Sequence, residues 1–219
     1  MEQSRNFESL KTIARVVGYT VLAALSAKII QLDAGLFTDD GRKFTENSFT
    51  EWMQLTYILG TAFLFIVAGK RFAPLRPIAY LVGGGFLVIM IREMDGYLDV
   101  IYHGAWLPFA LVALAVTLAV VYRHRQNFWE SVSRFLSTPA FGYFAAGGIG
   151  LMVFSRLFGS KNVWTTLFQV EWLDPFTPMY FAKSAVQEGT ELFAYCLLFC
   201  AAVELYSFVR RQPDQAPGT

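Results

Sequence analysis

Long apolar runs alternate with short polar clusters along the chain, and each run has the length of a membrane-crossing helix. A helix rises 1.5 Å per residue, so about 20 mostly apolar residues cover the roughly 30 Å of hydrocarbon in a bilayer. The pattern predicts an all-α, polytopic membrane protein: a six-helix transmembrane bundle that forms one domain over residues 1–211. The segments lie at about 12–32, 49–69, 78–101, 105–122, 139–158 and 184–209.

The two ends of the chain need separate interpretation. The first apolar segment follows Arg5, Lys11 and Arg15 and resembles the start of a secretory signal peptide. Its apolar character continues through Leu32, so we expect a retained helix. Residues 212–219 are polar and contain proline, which predicts a disordered tail.

Lysine and arginine are concentrated on one side of the predicted bundle. They precede the first segment and recur at 70–76, 123–134 and 210–211, which are alternate connections. The remaining connections are poorer in basic residues or rich in acidic ones. The positive-inside rule therefore predicts that both termini are cytoplasmic. We expect a multi-pass protein of a bacterial plasma (inner) membrane.

Two connections carry aromatic residues that are typical of the membrane surface. Residues 128–136 place Phe128, Val132 and Phe135 at helical spacing among polar residues, which predicts a short amphipathic helix. Residues 164–172 contain Trp164 and Trp172 and are expected to lie along the opposite membrane surface.

Composition agrees with a lipid environment and excludes several other classes. Hydrophobic residues make up 55% of the chain and charged residues 16%, with a mean hydropathy of +0.42, whereas soluble proteins have about 45–50% and 25%. The net charge of +1 gives no overall field for nucleic acid, so we expect none as a partner. The chain contains only two histidines, which excludes a multi-histidine metal centre. Cys196 and Cys200 are interpreted as small buried hydrophobic residues.

Charged residues enter the non-cytoplasmic half of the third segment. The uncharged run between Arg76 and Arg92 has 15 residues, so it covers about 22 Å and is too short to cross the hydrocarbon. Arg92, Asp95, Asp99 and His103 recur at i, i+3, i+7 and i+11. This spacing predicts one polar stripe along a continuous helix.

The sixth segment requires acidic residues inside the membrane. Its longest uncharged run, between Glu191 and Glu204, has 12 residues and covers about 18 Å. Glu188 and Glu191 must then lie within the span, one turn apart. Glu204, near the inner end, is expected to extend toward the lipid headgroups.

The second and fifth segments bring further polar residues to the same membrane face. A charged side chain in contact with lipid costs about 2.5–3.5 kcal/mol. We therefore expect these residues to face those of the third and sixth segments, or a water-filled cavity. They are Glu46, Asn47, Glu51, Gln54, Ser155, Arg156 and Lys161.

The convergence predicts an acidic cavity open to the non-cytoplasmic side. Carboxylate oxygens suit hard cations such as calcium or magnesium, and crowded carboxylates are equally compatible with a proton-linked conformational step. The candidate cation ligands are Glu93, Asp95, Asp99, Glu188 and Glu191, with Glu51, Arg92, His103 and Arg156 as substrate-contacting or counter-charged groups.

Three functions are compatible with such a cavity. The first is binding, with or without transport, of a cation or small polar substrate; the inner halves of segments two to five carry almost no polar residues, which argues against a simple channel. The second is a membrane-embedded enzyme that acts on a lipid headgroup. Its carboxylates would hold a divalent metal or act as general acid and base, while Arg156 and Lys161 hold a phosphate. The third is a noncatalytic subunit or assembly factor whose polar stripes pair with another membrane protein. Motifs of intramembrane serine or aspartyl proteases are absent.

Overall fold

A computed structural model describes residues 2–36, 44 and 48–212, with side chains from residue 9 onward. Within these residues the chain is helical without strands, and six helices are long and apolar enough to span a membrane. The predicted all-α six-helix bundle is therefore confirmed. Glu46, Asn47 and the predicted tail beyond Gln212 lie outside the described residues.

Ten α-helices make up the described fold. A π-helical stretch, Gly150–Ser155, joins the seventh to the eighth, so that these two helices form one span, Pro139–Gly159. In chain order they are α1 Glu2–Gly35, α2 Phe49–Arg71, α3 Arg76–Glu93, α4 Asp95–Leu98, α5 Trp106–Arg123, α6 Phe128–Leu136, α7 Pro139–Ile149, α8 Arg156–Gly159, α9 Lys161–Phe168 and α10 Pro178–Arg210.

Local sequence signals fix the beginnings of the helices. Ser48 accepts a hydrogen bond from the backbone N–H of Glu51 and caps α2, and Thr177 accepts one from Tyr180 and caps α10. Proline occupies the first turn of α3, α7 and α10, where its missing N–H costs no helical hydrogen bond. The sixth span therefore begins six residues before the position expected from hydropathy.

The third span ends earlier than the sequence predicts. Its 21 residues from Ala73 to Glu93 already extend about 32 Å, enough to cross the hydrocarbon. Beyond them, the Asp95 carboxylate accepts a hydrogen bond of 2.8 Å from the backbone N–H of Gly96, in the first turn of α4. The prediction of one continuous stripe from Arg92 to His103 is wrong, because the helix ends between these residues.

The helices pack around α2 and α10. In the most apolar 18-residue stretch of α10, 61% of the residues are buried. In the corresponding stretch of α1 only 6% are buried, so most of its surface faces outward. Glycines on α3 permit close packing on both sides: Gly83 lies against Ile66 of α2, and Gly84 lies against Thr117 of α5. This packing fixes the position of Glu93 at the end of α3.

The basic connections gather at one end of the bundle, as predicted. A buried apolar cluster there joins Phe72, Phe135 and Val209, which come from three different connections or helix ends. The predicted amphipathic helix is α6; its Ser131 accepts a hydrogen bond of 3.2 Å from the backbone N–H of Ile78, while Trp129 remains 79% exposed. We call this the inner end and the opposite one the outer end.

Candidate functional site

Glutamates from α3 and α10 meet polar side chains of α2 and of the π-helical stretch near the outer end of the bundle. The amide nitrogen of Gln54, on α2, donates to the Glu188 carboxylate at 3.1 Å and to the Glu188 backbone oxygen at 3.3 Å. Gln54 is only 3% exposed. A buried neutral donor thus holds Glu188 against α2.

Glu191 is bound one helical turn further along α10. The Ser155 hydroxyl donates to it at 2.6 Å, and the Gln187 amide donates at 3.4 Å. Ser155 is buried and ends the π-helical stretch. A π-helical turn changes the register of the residues that follow it and is frequent at functional sites, so here it sets the position from which Ser155 reaches α10.

Glu93 completes the group from α3. Its carboxylate accepts hydrogen bonds from Arg92 at 2.7 Å and from the Tyr195 hydroxyl at 3.4 Å. The Arg92 side chain is 49% exposed, whereas that of Glu93 is 24% exposed. The arginine therefore covers the carboxylate from the outer surface, and Tyr195 contacts it from α10.

Lys183 supplies a second cation from the first part of α10. It is 7% exposed, and its ammonium group donates to the Gln187 side-chain oxygen at 2.9 Å. Because the same Gln187 amide donates to Glu191, the three side chains form a row along one side of α10. Lys183 is also attracted by Glu188 and Glu191.

Three carboxylates are gathered in this region, and we call Glu93, Glu188 and Glu191 the glutamate cluster. Glu188 and Glu191 lie one turn apart on α10, and Glu93 is bound by Tyr195, one turn further along the same helix. Arg92 binds Glu93 from the same side of the membrane, and Lys183 lies at the start of the row on α10 with Lys161 near it. Among the described residues, no group of three or more His, Cys, Asp or Glu side chains has the arrangement of a metal site. Glu188 and Glu191 are therefore held mainly by neutral donors.

The other predicted site residues have different surroundings. Asp99 binds His103 at 3.0 Å and the Gly104 backbone N–H at 2.8 Å in the loop after α4, where the His103 side chain is fully exposed. Asp95 is attracted by Arg92. Arg156 is exposed at the start of α8. Glu51 lies one turn before Gln54 on α2, with a partly buried side chain.

A polar face on α1 was not predicted from the sequence. Tyr19, Ser26 and Asp33 recur at seven-residue intervals, and each one binds another helix. Asp33 accepts hydrogen bonds from the Thr50 backbone N–H at 2.6 Å and from the Thr50 hydroxyl at 2.5 Å. Ser26 and the Tyr57 hydroxyl are 2.9 Å apart. The period of seven within an apolar helix is a signal that could have revealed this face.

Glu204 also differs from its prediction. It is 8% exposed and accepts a hydrogen bond of 2.8 Å from the Tyr19 hydroxyl, and Arg15 lies 3.1 Å from the same oxygen. The expectation that Glu204 extends to the headgroups is wrong, because α1 brings both partners to it inside the bundle. Cys196 and Cys200 are free, buried thiols, as predicted.

Comparisons with known proteins identify no relative. A scan of protein-family models finds no matching family, and searches of curated proteins and of solved structures find no significant match.

Proposed function

We propose that this membrane protein binds a cation at the glutamate cluster, from the non-cytoplasmic side of the membrane. The observation that carries the proposal is that Gln54, Ser155 and Tyr195 hold Glu188, Glu191 and Glu93 by hydrogen bonds inside two spans. Ionisable groups at membrane depth are costly, and their usual use is in binding or moving ions. A bound cation would offset the mutual repulsion of these carboxylates.

The partners of the cluster support a binding role over a purely structural network. Gln54 and Ser155 are neutral donors, so they hold Glu188 and Glu191 in place without cancelling their charge, whereas Glu93 also binds Arg92. A structural network would be expected to match each carboxylate with a cation. Glu188 and Glu191 thus combine fixed positions with neutral partners.

The same groups favour a small cation that competes with protons. A carboxylate can carry either a proton or a metal ion, and binding of the metal releases the proton. Calcium and magnesium were expected from the oxygen ligands, but the described residues form no arrangement of three ligands around one point. We therefore propose a site that takes up a proton or a weakly held cation, with side chains that move closer when a metal ion binds.

A second candidate function is translocation of the bound cation toward the inner end. Glu204 lies 16 residues beyond Glu188 on α10, which is about 24 Å along the helix axis. Between them the Ser26 and Tyr57 hydroxyls lie 2.9 Å apart, and Tyr57 shares a buried cluster with Cys196. These polar contacts favour a path along α1, α2 and α10, which the sequence analysis did not consider.

The binding proposal is tested by the thermal stability of the purified protein. Unfolding is followed in detergent with calcium, magnesium or sodium chloride, against N-methylglucamine chloride at equal ionic strength. We expect at least one metal cation to raise Tm, and the effect to shrink at acid pH because protons compete for the carboxylates. Glu191→Gln should abolish the shift.

Glu130→Gln is the matched control. Glu130 is an exposed glutamate that pairs with Arg134 on α6 at 2.7 Å, at the inner end of the bundle. This variant should keep the full cation response. An equal response of the wild-type protein to N-methylglucamine and to every metal cation, or an equal loss in both variants, would contradict the proposal.

Translocation is tested separately with the protein in liposomes that contain a pH-sensitive dye. An acid pulse should produce flux through the wild-type protein, and Ser26→Ala, which removes one hydroxyl of the path, should reduce the flux while the cation response in detergent persists. Flux that is the same in empty liposomes would exclude translocation and leave the binding proposal intact.

A further inference from the structure

A small basic pocket lies at the inner end of the bundle, between the start of α3 and the end of α5. Its volume is about 170 Å³. Two apolar residues form part of the wall, and none of its lining residues is a carboxylate. The polar lining consists of Arg76, Arg123, His124, Gln126 and Asn127.

Every polar lining residue can donate a hydrogen bond. Arginine offers a planar fork of donors that suits phosphate oxygens, and side-chain amides and imidazole add single donors. Arg76 is anchored by a hydrogen bond of 3.2 Å from its Nε atom to the Gly69 backbone oxygen. His124 is half-buried, and its ring lies 6.0 Å from that of Tyr80. The pocket is therefore a concave set of donors, two of them on partly fixed side chains.

Among the side chains that the structure describes, no carboxylate lines the pocket to neutralise its charge. The acidic residue of neighbouring α6, Glu130, is bound to Arg134 at 2.7 Å. The positive end of the α3 dipole also points toward this end of the bundle, because Arg76 is the first residue of that helix. Both effects favour an anion.

Size and position limit the kind of anion. At about 170 Å³ the pocket is smaller than the roughly 300–1,000 Å³ of pockets for drug-sized ligands, and this size suits a group such as phosphate. It lies where two spans, Ala73–Glu93 and Trp106–Arg123, reach the membrane surface on the same side. Exposed Trp129, on adjacent α6, is typical of the level of the lipid headgroups.

We propose that this basic pocket binds a phosphate group, carried by an anionic phospholipid of the leaflet that meets the inner end. Basic pockets between membrane helices on the cytoplasmic side are known to hold lipid headgroups. The guanidinium groups of Arg76 and Arg123 face the phosphate, and the amides of Gln126 and Asn127 donate to its oxygens. The site is independent of the glutamate cluster, which lies at the outer end.

Binding is measured by native mass spectrometry of the full-length protein in detergent, titrated with phosphatidylglycerol or phosphatidylcholine of the same acyl chains. We expect preferential retention of phosphatidylglycerol, since the choline cation is repelled by the arginines. Arg123→Gln should weaken retention at least about tenfold, because a charge-assisted hydrogen bond is lost. Equal retention of both lipids would overturn the proposal.

Arg125→Gln is the matched control, because Arg125 is a cation of the same connection that lies over the Tyr122 ring and does not line the pocket. It should keep the affinity of the wild-type protein; an equal loss in both variants would show nonspecific attraction and overturn the proposal. If Arg123→Gln fails to fold, Arg123→Lys decides: an intermediate affinity supports phosphate recognition, and unchanged affinity overturns it. Inorganic phosphate that displaces the lipid at similar concentration would support the phosphate site and assign it to free phosphate.

Discussion

Replacement of Glu188 by glutamine separates a cation-binding cluster from a structural ion-pair network. The substitution removes one negative charge and keeps an oxygen that can accept the hydrogen bond from Gln54. If the glutamate cluster is a set of repelling carboxylates, stability should be unchanged or rise. If Glu188 is the partner of a buried cation, its removal should destabilise the protein.

The size of the effect follows from the helix geometry. Glu188 and Glu191 are one turn apart, about 6 Å, and two unit charges at this distance repel by about 3 kcal/mol at an effective dielectric constant of about 20. Replacement of a charged acceptor by a neutral one weakens the Gln54 hydrogen bond by about 1 kcal/mol. The lost attraction to Lys183 costs about as much as the weakened hydrogen bond. We therefore expect the free energy of unfolding of Glu188→Gln to equal that of the wild-type protein or to exceed it by up to about 2 kcal/mol.

Thermal unfolding in detergent measures this difference. For a chain of this length 1 kcal/mol corresponds to about 2–4 °C in Tm, so Tm should stay constant or rise by several degrees. The cation-induced shift should disappear in the same variant. A loss of about 3–5 kcal/mol, as is typical when one partner of a buried ion pair is removed, together with an intact cation response, would refute the reasoning.

Three further predictions concern other parts of the bundle. Glu204→Gln should lower stability by about 3 kcal/mol or more, measured as a fall in Tm, because Arg15 loses its buried partner; an unchanged Tm would contradict the assignment. Gly84→Leu should destabilise by about 1–3 kcal/mol in the same assay, because a side chain would collide with α5, and normal stability would disprove this packing. His103→Cys and Trp129→Cys, both exposed in the wild-type protein, should react with an impermeant thiol reagent from opposite sides of the membrane, and reaction from one side would rule out the six-span topology.

The architecture was predictable because each span is an independent apolar signal. The number of spans and the helix at 128–136 depend on local periodicity and length, which a sequence displays directly. The end of α3 did not follow, because hydropathy alone does not record the non-helical backbone conformation of Met94, which separates α3 from α4. Asp99 and His103 were consequently assigned to the same helical stripe as Arg92, although both residues follow the end of α4.

The candidate site was predictable in part. Run lengths alone predicted charge at membrane depth at Glu188, Glu191 and Glu93, and the structure gives each of them a polar partner from another element. Their neutral partners were harder to assign, since the pairing of Ser155 with α10 depends on a π-helical register. The contact between Glu204 and α1 joins residues 185 positions apart, which local patterns do not encode.

The location of a bound cation tests the central claim most directly. Crystals of the protein grown with manganese, as a substitute for magnesium or calcium, or with thallium, as a substitute for a monovalent cation, would give an anomalous difference map. We expect a peak between the carboxylates of Glu93, Glu188 and Glu191 with one of the two ions, and no peak there in Glu191→Gln. The account would be contradicted if ions bound only at the exposed loop of Asp99 and the side chains of Arg92 and Lys183 occupied the space between the three carboxylates.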